Sequence, residues 1–190
     1  MASQQPDGFW QTDPGENYNS LTGEQKLHNA NLVYRYFIPY WTKKAVCAML
    51  GNMDAESRMN PITKTGDQWG LVQWYPSSKL TDWAERHGLN WEYGTTQCAR
   101  IKFEWDFPDK APQWRPMETG VSFYEWSQMT DETLDRMTHL FRYCYETADP
   151  RTEPERKWYA QFYFDNLPLF NKLIIPCLTK NRRRGVIKYG

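Results

Sequence analysis

Glu56 is the residue whose placement offers chemistry. It lies in the segment Gly51-Asn52-Met53-Asp54-Ala55-Glu56-Ser57-Arg58-Met59-Asn60-Pro61. Helical spacing puts it three residues after Met53 and seven after Met49, on the face of an apolar stripe. The helix must end near Asn60, because Pro61 disfavours helical geometry in the residue before it. Glu56 therefore occupies the last turn or two, at the negative end of the helix dipole. Apolar surroundings and the dipole both favour the neutral acid over the carboxylate. A carboxylic acid that keeps its proton is what cleavage of a glycosidic bond needs, since the leaving oxygen must be protonated. Asp54 and Arg58 flank Glu56 but point to other faces of the helix.

A second segment follows, Trp69-Gly70-Leu71-Val72-Gln73-Trp74. Glycines, threonines and alternating Trp69, Leu71 and Gln73 predict a short hairpin or extended loop over 62–76. The Gln73 amide offers both a donor and an acceptor. Trp69 and Trp74 fit either an ordinary core or a sugar-facing wall. A second carboxylate would serve to activate water or to stabilise positive charge on the sugar. Asp67, eleven residues after Glu56, is the candidate, although Gly66-Asp67 is also ordinary turn chemistry.

The elements that must position these groups read as helices. Thr22 with Gln25 makes a capping box before the stripe Leu27, Ala30, Tyr34 and Phe37, and Pro39 stops that helix. Thr42 caps the helix of Glu56, with Trp41 and Val46 as a hydrophobic staple and an apolar face of Val46, Met49, Leu50 and Met53. Pro76-Ser77-Ser78 opens a helix ending at Gly88, and Thr95 opens another stopped by Pro108. A Pro-rich loop spans roughly 107–118, and a short helix is expected around Val121–Trp126. Thr130, followed by Asp131 and Glu132, is the predicted cap of a helix bearing Leu134, Met137, Phe141 and Cys144. Thr152 with Glu155 starts a last helix, which ends before Pro168. The expected fold class is α+β, mostly helical, with a small β-hairpin beside the helix of Glu56.

The 190 residues suit one domain with tails. The expected division is an irregular N-terminal arm over 1–20, a catalytic domain over 21–170 and a basic tail over 171–190. From Lys172 on there are six Lys/Arg and no acid, which leaves 17 basic against 23 acidic groups before it, a net of −6. An acidic body with a basic end is not the pattern of a dedicated nucleic-acid binder. The basic end reads as a solvated segment or as a contact to anionic cell-wall polymers or a partner protein. The N-terminus is polar with no signal-peptide core, and no stretch of about 18 apolar residues predicts a membrane span.

Other hydrolytic chemistries lack their residues. His28, His87 and His139 are far apart, no His-Glu-x-x-His occurs, and no metal site or cofactor is expected. Cys47, Cys98, Cys144 and Cys177 form no Cys-x-x-Cys pair, and the first three fall at apolar helical positions as small buried hydrophobes. Cys47 lies inside a helix, not at the helix N-terminus that would stabilise a thiolate nucleophile. No Gly-x-Ser-x-Gly elbow and no P-loop is present.

Taken in order, these segments resemble the phage tail lysozyme family of the lysozyme-like superfamily. The resemblance rests on Asn29-Ala30, on Met49 to Met53 leading into Glu56-Ser57, on Asn60-Pro61, and on Trp69 to Trp74 followed by Pro76. Ser122-Phe123 and Phe141 to Glu146 resemble the family's C-terminal half, so the likeness spans roughly residues 21–167. It implies a lysozyme-like fold with the catalytic helix at the base of a cleft and the hairpin on the other wall. Glu56 would match the catalytic acid, and Gln73 and Trp74 the motif lining the cleft floor. The implied substrate is bacterial peptidoglycan, cut at the β-1,4 bond between MurNAc and GlcNAc, with other phage tail subunits as further candidate partners. The implied location is the virion tail, or the host cytoplasm before release, and the chain can equally be the lysozyme part of a longer tail protein. Two other readings stand beside this one. The same acid serves a lytic transglycosylase, in which the sugar's own 6-hydroxyl attacks, and a non-catalytic wall-binding tail protein could keep the fold.

Overall fold

A computed structural model describes residues 10–14, 21–110 and 113–168. Seven α-helices and one two-stranded sheet order these residues: α1 (Gly23–Phe37), α2 (Lys43–Ser57), β1 (Lys64–Thr65), β2 (Gln68–Trp69), α3 (Ser78–Arg86), α4 (Gly94–Asp106), α5 (Phe123–Gln128), α6 (Leu134–Phe141) and α7 (Glu153–Asn166). A π-helical turn, Arg142–Glu146, continues α6 without a break. The expected α+β class, mostly helical with one small hairpin, is the observed one.

The capping residues explain where the first helices begin. Thr22 and Gln25 form the reciprocal capping box of α1. The Thr42 hydroxyl accepts from the Ala45 N–H at the start of α2. Three starts differ from expectation, and the short helix expected from about Val121 begins at Phe123 behind a Ser122 cap. The cap before Leu134 is Thr133, not Thr130. Both threonines precede the apolar stripe, but the Thr130 and Glu132 carbonyls are held by the Lys44 ammonium at 2.7 and 2.8 Å, which keeps that stretch out of the helix. The helix expected from Thr95 begins one residue earlier, at Gly94.

Helix α2 is the centre of the molecule. Its apolar stripe predicts one buried face, yet every residue from Ala45 to Asp54 is buried. A helix buried all round needs neighbours on every side, and α1, α5, α6 and α7 supply them. Its polar residues are accordingly paired. Asp54 takes Lys26 at 3.0 Å and the Tyr163 hydroxyl at 2.7 Å, and the Asn52 amide donates to the Ala48 carbonyl. The aromatic residues mostly build the core around it. Trp41 stacks on Phe37 and packs against Phe123 and Trp126, and Trp114 stacks on Phe123. Cys47, Cys98 and Cys144 are buried, and burial pushes the Cys47 thiol up to about 12. Cys177 and the basic tail lie outside the described residues.

Gly51 sets how closely α2 and α7 approach. A Cβ there would stand 2.4 Å from the Arg156 carbonyl oxygen and 2.7 Å from the Ala160 Cβ. Backbone on one side cannot yield as a side chain can, so Gly51→Ala should lose about 1–3 kcal/mol of stability despite alanine's better helix propensity. A urea titration measures it, and an unchanged midpoint would show that the two helices are free to separate.

A second cluster ties α6 to α7. Glu153 receives His139 at 2.8 Å, Arg142 at 3.1 Å and Lys157 at 2.7 Å. Partial burial alone would raise its pKa, but hydrogen bonds from Lys157 and His139 outweigh that and bring it from the ordinary 4.5 down to about 2. Stability from this carboxylate is complete above pH 4.5 and is lost as pH falls towards 2. Acid titration of the unfolding free energy should show Glu153→Gln flatter than wild type across that window.

Candidate active site

Glu56 stands in the last turn of α2, and its side chain is 20% exposed. The helix stops just after it because Arg58 and Met59 both turn into the left-handed region, at φ of 53° and 61°. Arg58 leaves towards Glu155 and Tyr159, at 2.6 and 2.7 Å, and takes no part in the Glu56 environment.

Arg156 of α7 is the partner of Glu56. The close packing at Gly51 brings it there, and its guanidinium is 3% exposed. Nη2 donates to Glu56 Oε1. Nη1 donates to Asn52 Oδ1 at 3.0 Å and to Glu146 Oε2 at 2.5 Å, and Nε to the Thr152 hydroxyl at 3.0 Å. Glu146 ends the π-helical turn and is 2% exposed. Burial pushes its carboxyl well above the usual range, Arg156 opposes that, and the charge of Glu56 adds to it. Two carboxylates thus share one guanidinium. With both ionised the trio carries a net −1 in a partly dry site, and one proton makes it neutral. Glu56 Oε2 has no partner among the described residues.

The sheet stands opposite. Gly66 and Asp67 form the two-residue loop between β1 and β2, with Gly66 at a φ of 60°. Gly70 and Gln73 follow at φ of 82° and 50°. Buried Gln97 of α4 clamps this segment, accepting from the Leu71 N–H at 2.7 Å and donating to the Pro61 carbonyl at 2.7 Å. Between Glu56 and the segment after β2 lies a polar cleft of about 430 Å³. Gln68, Val72, Gln73 and Tyr75 line one side, and Glu56 with Tyr145 to Asp149 line the other. A larger, open hollow of about 570 Å³ lies over α5, between Thr119 and Glu132, and holds none of these groups.

The structure brings Glu56 and Gln73 to one cleft. Gln73 spends its amide donors on the Gly70 and Thr63 carbonyls, at 2.8 and 3.4 Å, and its buried Oε1 has no partner among the described residues. Its spare hydrogen-bonding capacity is thus one buried acceptor, not the donor and acceptor expected from the residue type. Trp74 is in the core, 1% exposed, with its indole N–H on Glu104 at 3.2 Å. Trp69 is half-buried against Trp91, with the Lys64 ammonium 4.3 Å over its ring, and does not line the cleft. Asp67 is at the hairpin turn, where Oδ1 accepts from the Ser77 hydroxyl and N–H at 2.5 and 3.2 Å; it does not line the cleft either. Arg156 and Glu146 are the two groups that sequence reasoning missed.

A central buried helix ending in an acid, facing a small hairpin across a polar cleft, defines a lysozyme-like α+β protein. The sequence profile of the phage tail lysozyme family matches residues 28–167, and the chain belongs to that family. Morphogenesis protein 1 of Bacillus phage B103 is 35% identical over 155 residues. That alignment covers 77% of this chain but 41% of the relative, so the chain spans less than half of the relative's length. Among the described residues no helix is long and apolar enough to cross a membrane, and no three His, Cys, Asp or Glu form a metal-binding group.

Proposed function

We propose that the protein cuts the glycan strand of bacterial peptidoglycan at the MurNAc–GlcNAc β-1,4 bond, with Glu56 as general acid. The observation that carries this reading is the Glu56 carboxyl, held through one oxygen by Arg156 with its other oxygen unpartnered beside the cleft. Proton and electron flow follow from that placement. Glu56 gives its proton to the glycosidic oxygen, the C1–O bond breaks towards that oxygen, and positive charge spreads over C1 and the ring oxygen.

Two groups can then attack C1. Water gives a reducing end, and Asp67 is the proposed carboxylate to assist it. The sugar's own 6-hydroxyl gives a 1,6-anhydro end. The second route is favoured by one observation, the engagement of Asp67 with Ser77 outside the cleft lining. Mass spectrometry of the products from purified peptidoglycan separates the two. Under the hydrolytic route Asp67→Asn should lower turnover by at least about tenfold, whereas under the 6-hydroxyl route it should leave the rate within about twofold. Protein that binds the wall and releases no saccharide is a non-catalytic wall-binding module. The family's description supports a virion-borne role in the tail, and the relative's name supports one in phage assembly.

A further inference from the structure

The cleft contains more charge than cleavage uses. Its acids are spoken for: Glu56 and Glu146 share Arg156, and Asp149 pairs with Arg151 at 2.5 Å. Its two remaining cations, Lys79 and Arg115, have no acid within ion-pairing distance among the described residues. We propose that Lys79 and Arg115 form an anion subsite that binds a carboxylate carried by the substrate strand, on the cleft beside Glu56. The proposal rests on the reading of this cleft as a glycan site.

Three features point the same way. Lys79 lies in the first turn of α3, where a cation opposes the helix dipole, so it does not serve the helix. Its ammonium donates to a neutral group, the Gln113 side-chain Oε1 at 3.0 Å, and Gln113 Nε2 is itself anchored to the Tyr145 backbone carbonyl at 2.9 Å. The position of Lys79 is fixed by a neutral partner, and the carboxylate whose charge acts on it, buried Glu104, is already paired with Arg100 at 3.0 Å. Burial lowers the Lys79 pKa, and the charge of Arg115 lowers it further, so two like charges face one space. A bound anion relieves both costs. N-acetylmuramic acid differs from N-acetylglucosamine by its lactyl carboxylate, which in the wall is either free or joined to a peptide that carries carboxylates of its own. The subsite would thus read which sugar, or which stem, lies beside the cut.

Binding to the Glu56→Gln protein tests this without turnover. Calorimetry would use three tetrasaccharides: alternating GlcNAc–MurNAc with free lactyl groups, the same strand bearing stem peptides, and neutral tetra-N-acetylglucosamine. Lys79→Gln together with Arg115→Gln should weaken binding of at least one anionic strand about tenfold or more, and leave the neutral oligomer within about twofold. The strand that loses more names the carboxylate source. Lys79→Arg with Arg115→Lys should keep the preference, which separates charge from packing, and matched thermal melts check the fold. Equal losses on all three ligands, no loss on any, or no preference in the parent protein would overturn the subsite. Wild-type cleavage without that preference leaves the glycosidase reading standing and removes this one. Preference without wild-type cleavage does the reverse.

Discussion

Replacing Arg156 with leucine should cost about 3–5 kcal/mol of stability, the range for removing one partner from a buried ion pair. The guanidinium is 3% exposed and the Glu146 carboxylate 2%, so neither charge has much water to fall back on. Without Arg156, Glu146 loses its ion-pair partner, leaving Arg142 as a weaker positive neighbour, and Asn52 Oδ1 loses its donor. Glu146 would then have to take up a proton to remain buried, and stability would come to depend on pH in the neutral range. That dependence has a definite direction. The carboxyl is neutral in the folded state and ionised in the unfolded one, so stability falls as pH rises above the ordinary carboxylate range. The double variant Arg156→Leu with Glu146→Leu removes both charges and should recover much of the loss. Urea unfolding of the three proteins decides it. A loss below about 1 kcal/mol for the single variant would mean that the trio is solvated, and the close coupling of Glu146 to the Glu56 carboxyl would fall with it.

What the sequence made legible and what it did not divide along physical lines. Local rules located the first two helices, because a capping box at Thr22 and a threonine cap at Thr42 satisfy backbone donors from within a few residues. Pro61, which disfavours helical geometry in the residue before it, placed Glu56 near the end of α2. Thr130 failed because two threonines three residues apart satisfy the same local rule, and a distant ammonium, Lys44, chose between them. Trp74 and Trp69 could not be sorted from composition. Alternation along the segment does not reveal that Glu104 waits in the core for one indole and that Lys64 lies over the other. Arg156 stands a hundred residues from Glu56, and the packing of α7 on α2, closest at Gly51, brings it near. The one available sign was Gly51 itself, a glycine inside a helix where alanine would be better by propensity alone. Glu146 was hidden for a different reason. It arrives by a π-helical turn, whose wider repeat rotates it off the face that a 3.6-residue pattern assigns.

Glu56→Gln should reduce saccharide release from peptidoglycan by about 10²–10⁴-fold, the usual share of a positioned general acid. Glutamine keeps the shape of the side chain and keeps an oxygen for the Arg156 Nη2 donor. It has no proton to give, so the loss should fall on turnover and not on binding. The stability change should be small, at most about 1 kcal/mol, because the side chain is already one-fifth exposed and the amide retains one of its two poles for the guanidinium. Glu146 then has Arg156 without a competing charge, which offsets part of even that loss. Sedimentation with insoluble peptidoglycan measures binding, and chromatography of soluble saccharides measures turnover. Glu56→Asp sharpens the result. It restores a carboxyl but withdraws it by one methylene from the cleft, so the acid is present and misplaced, and a displacement of that size is enough to cost about a hundredfold. If Glu56→Gln kept more than about a tenth of wild-type release while binding normally, the proton would have to come from elsewhere in the cleft. Glu146, the other carboxyl on the same guanidinium, would then be the next residue to change.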